Sequence, residues 1–228
     1  MTAFQPPRGN APGPQLEGRV ALVFGAGSAG DGWGNGKASA VAYARAGARV
    51  VAVDVDGDAA AVTRDIIRGE GLEAISVAAD VTRLADVQQA VGQALAAFGR
   101  IDVLHNNVGI TSQGGPIETT EDTWDRVMTV NAKSMFLTCK CVLPVMLEQG
   151  SGAIVNIGAL GGVRWTGYAY CAYAASKGAV NSFTQSVALQ YAAQGIRANC
   201  ILPGVMDTPH IYSQISGFYA LSLIHISE

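Results

Sequence analysis

Arg19-Val-Ala-Leu-Val-Phe-Gly-Ala-Gly-Ser-Ala-Gly-Asp-Gly-Trp-Gly-Asn-Gly36 is the stretch that decides the fold. An apolar run without alternation enters a loop with glycine at 25, 27, 30, 32, 34 and 36, and a segment rich in small residues follows from Lys37 to Ala46. Such a run suits a strand covered on both faces. A glycine-rich turn between a strand and a helix lets backbone N–H groups and the helix dipole meet a pyrophosphate. Plain turns are also glycine-rich, but a loop that follows the first strand and opens the first helix favours the pyrophosphate. The second apolar run ends at Asp54, 18 residues after Gly36. A carboxylate there accepts hydrogen bonds from both ribose hydroxyls and repels a 2′-phosphate, which selects NAD. The alternative is a solvated strand end.

Working outward, further strands are predicted at Arg49–Asp54, Glu73–Ala78, Ile101–Asn106, Gly152–Ile157 and Ile196–Leu202, with Arg19–Phe24 as the first. Helical patterns separate them. The clearest places Leu84, Val87, Val91, Leu95 and Phe98 on one face, with Thr82 in the N-cap place. Strand–helix alternation of this kind predicts an α/β, Rossmann-like, doubly wound parallel sheet in a single domain. The domain is expected over residues 16–217, after a Pro/Gly-rich disordered tail at 1–15 that holds four of the eight prolines.

Composition narrows the function. Hydrophobic residues make up 49% of the 228, and charged residues only 14% against a usual share of about 25%. Disorder is therefore excluded as the general state. Net charge is −3, which leaves no basic face for nucleic acid. Cys139, Cys141, Cys171 and Cys200 form no CxxC pair and no spacing with His that suggests a metal site. They read as thiols in a reducing compartment. With no signal-peptide pattern and no apolar run near the ~20 residues of a membrane span, a cytoplasmic protein without membrane attachment is expected.

Tyr173 and Lys177 form YxxxK on a predicted helix. A spacing of four puts phenol and ammonium on one face. A cation beside a phenol favours phenolate and brings a pKa of about 10 down toward working pH, so Tyr173 can act as general acid/base. The alternative is an exposed helix pair. Tyr168 and Tyr170 have no lysine four residues on.

Taken together, these motifs resemble the short-chain dehydrogenases/reductases from about Leu16 to Pro209. Gly25 matches the first glycine of the family's TGxxxGxG, and Gly34 and Gly36 match the last two, with Asn35 between them. Phe24 replaces the threonine, and eight residues separate Gly25 from Gly34 where the family usually has three; the longer loop resembles a variant within the family. Asp80-Val81 is similar to the adenine contact. Asn106-Asn107-Val108-Gly109 is similar to the NNAG motif that steadies the sheet beneath the cofactor. Pro203-Gly204-Val205, followed by Thr208, resembles the PGxxxT segment that holds the nicotinamide carboxamide. The run Tyr-Ala-Ala-Ser-Lys-Gly-Ala-Val from Tyr173 is close to the family's own. By this resemblance Lys177 also holds the nicotinamide ribose, and Asn131 supports a water relay to Lys177. His105 is expected in the core, at a strand end.

One member of the catalytic set departs from the family. Its serine, the second of Asn-Ile-Ser-Ser, falls on Ala159 in Asn156-Ile157-Gly158-Ala159. Impaired catalysis is the expectation unless a substrate group, water or Thr166 substitutes. The resemblance implies NAD-dependent interconversion of a secondary alcohol and a ketone. The alternative is an NAD-binding protein with little turnover. A homodimer is expected through helices at roughly 121–149 and 172–193, with a tetramer only in a form carrying the family's final strand. Residues 218–228 do not resemble the family's closing elements, and Leu221 to Glu228 resembles translated adapter DNA. Truncation is expected, with no catalytic role for His210 or His225.

Overall fold

The computed structural model describes residues 15–209. Six parallel strands run β1 (Val20–Phe24), β2 (Arg49–Asp54), β3 (Ala74–Ala78), β4 (Val103–Asn106), β5 (Gly152–Ile157) and β6 (Ile196–Ile201). Their order in the sheet is β3-β2-β1-β4-β5-β6. Helices α1 (Asn35–Arg45), α2 (Gly57–Gly69), α3 (Leu84–Phe98), α4 (Glu121–Met128), α5 (Ser134–Gln149) and α6 (Cys171–Tyr191) connect them and cover the sheet. The winding reverses between β3 and β4, so the chain leaves β1 in opposite directions on its two sides. A crevice opens where the carboxyl ends of β1 and β4 part, the usual ligand position in such sheets.

The unbroken apolar character of β1 has a plain cause. Val20, Leu22 and Phe24 face one core layer, while Ala21 and Val23 face the other, and all five are buried. On the second face, Ala40, Val41 and Ala44 of α1 meet Ala21, Val23 and Ala52, and such small side chains let α1 lie close to the sheet. Val87 and Val91 of α3 are buried, with Leu95 and Phe98 packed against the same layer, as the periodicity predicts, whereas Leu84 in the first turn is exposed.

Several boundaries differ from expectation. The strands predicted from Glu73 and Ile101 start at Ala74 and Val103, and the last ends at Ile201 rather than Leu202. Helix α1 begins at Asn35, two residues before the predicted start. Thr82 does not cap α3; that helix starts at Leu84 behind Arg83, with no side-chain cap. The Thr82 hydroxyl donates instead to Asp80 Oδ1 at 2.7 Å, a charged acceptor two residues away. The helix expected over 121–149 is interrupted by a π-helical turn at Thr129–Lys133. Glu121–Gln149 as a whole is long and apolar enough to cross a membrane, but half of its apolar window is buried inside the protein, as suits a core helix. The expectations for residues 1–14 and 210–228, His210 and His225 included, fall outside the described residues.

His105 on β4 is 3% exposed and faces α1. Its Nδ1 lies 3.0 Å from the Tyr43 hydroxyl, and Nε2 has no hydrogen-bond partner among the described residues. Burial lowers its pKa to about 4. Between that value and the ordinary 6.5 of an unfolded chain, only the unfolded state takes up the proton, so stability falls as pH drops through this window. In urea titrations, the loss between pH 6.5 and 4.5 should be about 2 kcal/mol smaller for His105→Gln than for the parent. Equal losses would contradict a neutral, buried His105.

Candidate active site

The loop after β1 is held at its base by one carbonyl oxygen. Asn107 Nδ2 donates to Gly25 O at 3.0 Å. A Cβ on Gly36 would collide with that same oxygen and stand 2.7 Å from Asn107 Nδ2. Only glycine allows α1 to start so near β1. A Cβ on Gly27 would stand 2.8 Å from Asp54 Oδ2, which accepts from Gly27 N at 2.9 Å. Asp54, half-buried at the end of β2, therefore braces the loop and also lines the crevice. Lys37 steadies the loop's extra length. It is 7% exposed and donates to Gly32 O at 2.8 Å; burial lowers its pKa, with Asp31 opposing.

Helix α1 presents a bare N-terminus. Gly34 caps it without a side-chain bond, and its first turn holds no acid. By contrast, Asp56 caps α2 and Thr120 caps α4. The uncapped N–H groups and the helix dipole make an anion site. Nearby, Ser28 Oγ is buried, has no partner among the described residues and belongs to a residue lining the same cavity.

That cavity, about 1400 Å³, runs from Asp54, Asp80 and Val81 on one side to Tyr173, Lys177, Pro203, Gly204, Val205 and Thr208 on the other. Gly25, Gly34, Asn35, Asn107, Gly109 and Ala159 also line it; Gly36 lies just behind, buried at the start of α1. Asn131 lies beyond the wall. It is fully buried in the π-helical turn, where Oδ1 accepts from Ile110 N at 2.8 Å and Nδ2 donates to Ile110 O and to Ser176 Oγ, both at 2.9 Å.

Lys177 stands at the other end of the cavity, 3% exposed. Its Nζ donates to Ile157 O at 2.8 Å and lies 5.8 Å from the centre of the Tyr173 ring. A Cβ on Gly109 would stand 3.1 Å from Nζ, so that glycine leaves the ammonium its space. Burial lowers the Lys177 pKa to about 8, with Cys200 acting weakly the other way. Below it, Asn106 Nδ2 donates to Asn156 Oδ1 at 2.8 Å, Asn156 Nδ2 to Thr184 Oγ1 at 2.9 Å, and Thr184 Oγ1 to Val180 O at 2.7 Å. This buried polar chain fastens β4 to β5 and both to α6, the helix that carries Tyr173 and Lys177.

The model of the short chain dehydrogenase family matches residues 19–216. The chain belongs to the short-chain dehydrogenase family. It is 47% identical over 139 residues to a 2-(R)-hydroxypropyl-CoM dehydrogenase of Xanthobacter autotrophicus, covering 59% of this chain and 55% of that one. An inactive 2-(S)-hydroxypropyl-CoM dehydrogenase 2 of the same organism is 40% identical over 147 residues, 64% of each chain. The chain thus spans between half and two thirds of the length of these curated relatives. A short-chain dehydrogenase/reductase from Burkholderia xenovorans superposes with a TM-score of 0.85 at 44% identity, over 90% of this chain and 81% of that one.

Members of this family typically use a nicotinamide cofactor, and the residues present fit one. The unpartnered Ser28 hydroxyl and the bare N-terminus of α1 suit its phosphates. At the expected serine position, Ala159 is 7% exposed and lines the cavity without a side-chain donor. A serine at Gly158 beside it would have to displace neighbouring side chains, because a Cβ would stand 2.6 Å from Leu202 Cδ2 and 2.8 Å from Cys200 Sγ. Sequence reasoning missed Ser28, Lys37 and Ser176. Lys37 takes its role from the Gly32 carbonyl and Ser176 from Asn131, contacts that spacing alone does not show, while Ser28 stands out through a buried hydroxyl with no partner among the described residues.

The pKa of Lys177 makes a stability prediction. Between about 8 in the folded chain and 10.5 in the unfolded one, only the unfolded state keeps its proton. Stability should therefore rise with pH across that window, and at pH 7 the buried charge costs up to about 3 kcal/mol. Lys177→Met should raise stability at pH 7 by about 1–3 kcal/mol in denaturant titrations and flatten the rise above pH 8. A less stable Lys177→Met at pH 7 would contradict the buried-charge account.

Proposed function

We propose that the chain is an NAD-dependent oxidoreductase that interconverts a secondary alcohol and a ketone. The observation that carries this reading is the one continuous cavity shared by Asp54, the glycine loop, Tyr173 and Lys177. When bound, the nicotinamide supplies hydride exchange at the substrate carbon. Tyr173 takes the hydroxyl proton as the alcohol becomes a ketone, and returns it in the reverse direction. Lys177 holds the cofactor ribose, and its charge favours the phenolate while that proton is away. Asp80 and Val81 flank the adenine, Pro203, Gly204, Val205 and Thr208 hold the carboxamide, and Gly109 forms the floor under Lys177. Asn131 supports the relay side of the site by fixing the Ile110 backbone and Ser176.

Ala159 favours a second reading, an NAD-binding protein with little turnover, and one relative carries the word inactive in its name. Tyr173 and Lys177 argue for reduced turnover rather than none. We place the protein in the cytoplasm as a homodimer, with Trp124, Phe136 and Leu189 among the exposed apolar residues of α4, α5 and α6 available to bury at the contact. Its partner molecule is a small alcohol or ketone, and neither nucleic acid nor membrane is required.

Asp54 should make NAD bind at least about tenfold more tightly than NADP, or about 1.4 kcal/mol; equal affinities in a fluorescence titration would remove its role. Ala159→Ser should raise kcat about tenfold or more with little change in KM, because the added donor acts mainly on the transition state. Tyr173→Phe should abolish that gain. An unchanged kcat in Ala159→Ser, with Tyr173→Phe still abolishing turnover, would mean that another donor already fills the role.

A further inference from the structure

The cavity wall near Ala159 is not apolar. Tyr170 lines it together with Ala159, Tyr173 and Lys177, its ring edge-on to that of Tyr173 with centroids 5.4 Å apart. Its hydroxyl lies over Gly161, two residues beyond Ala159. A Cβ on Gly161 would stand 2.9 Å from that oxygen and 3.0 Å from the ring edge, so glycine makes the room the phenol occupies. The backbone holds Tyr170 from both sides: Gly114 N donates to Ala169 O at 2.9 Å, and Cys171 N donates to Gly114 O at 3.0 Å.

The hydroxyls of Thr166 and Tyr170 are hydrogen-bonded to each other. Each carries a single proton and can also accept. When Thr166 donates, the Tyr170 proton is left available to a group in the cavity that both residues line. Burial, with a smaller effect from Tyr168, raises the Tyr170 pKa, which keeps that proton in place at working pH. No cation stands four residues on, since residue 174 is alanine. Tyr170 is thus suited to donate a hydrogen bond, whereas Tyr173, a turn from Lys177, is suited to transfer a proton.

We infer that Tyr170 donates a hydrogen bond to the substrate oxygen in place of the hydroxyl that Ala159 lacks, with Thr166 orienting its proton. The inference rests on reading the cavity as a site of alcohol–ketone interconversion. It assigns this chain a catalytic donor drawn from the loop before α6 rather than from the end of β5.

Four chains test it: the parent, Tyr170→Phe, Ala159→Ser and the double variant. Two readouts are taken at saturating NAD+, namely kcat with cyclohexanol or 1-phenylethanol, and calorimetric binding of cyclohexanone, whose oxygen meets the same donors without turnover. Tyr170→Phe should lower kcat by about 30-fold or more in the parent background, the scale of one lost donor, and by less than about threefold in the Ala159→Ser background. Cyclohexanone affinity should fall with the same dependence on background, and NAD affinity should not change. Gly161→Ala, whose methyl group displaces the Tyr170 hydroxyl, should behave like Tyr170→Phe and provides an independent route to the same loss. Equal factors in both backgrounds, or no loss in the parent, would overturn the role of Tyr170. Neither turnover nor cyclohexanone binding in any chain, Ala159→Ser included, would overturn the oxidoreductase reading itself and this inference with it.

Discussion

The carbonyl oxygen of Gly25 is the point on which the site is built. It accepts from Asn107 at the end of β4 and leaves no room for a side chain on Gly36 at the start of α1. One atom thus ties together the first strand, the first helix and the strand across the switch point. The N-terminus of α1 can face the crevice only because this approach is close, and Asp54 can brace Gly27 only because the loop is folded back over β2. A longer loop is tolerated because its ends are fixed; Lys37 holds the added length through the Gly32 carbonyl.

At the other end of the crevice the constraint is electrostatic. Lys177 is buried with the Ile157 carbonyl on β5 as its acceptor among the described residues, and its position costs stability at neutral pH. Beneath it runs a chain of amides and a hydroxyl, from Asn106 through Asn156 to Thr184. A buried polar chain of this kind fixes the distance between β4, β5 and α6 more tightly than apolar packing would. The outcome is a helix whose Tyr173 and Lys177 stand at a defined height above the sheet. Stability is given up where a charge must be held ready for use.

Much of this was legible in the sequence, because strand and helix periods report directly on what is buried. The apolar run 20–24 forms the buried strand its composition predicts, because its meaning is local; Gly25, Gly34, Tyr173 and Lys177 come to line one cavity. The misreadings share a different cause. Thr82 looked like a cap because capping is judged from chain position, yet a nearer charged acceptor, Asp80, took its hydroxyl. The π-helical turn at Thr129–Lys133 was invisible because its cause lies in space: Asn131 reaches Ile110 and Ser176, residues far along the chain. No motif marks Gly161, and only the fold brings it against Tyr170. Local chemistry can be read from sequence, whereas the neighbours that redirect it cannot.

The central claim is that the glycine-loop crevice and the Tyr173–Lys177 face form one hydride-transferring site. Isotope transfer tests it most directly. The protein is incubated with cyclohexanone or acetophenone and NADH carrying two deuteriums at C4 of the nicotinamide, and the alcohol product is analysed by mass spectrometry. The account predicts one deuterium on the carbinol carbon, formed in the presence of the protein and lost with Tyr173→Phe. A protein that binds NADH yet yields no deuterated alcohol from either ketone, even with Ala159→Ser, would contradict it.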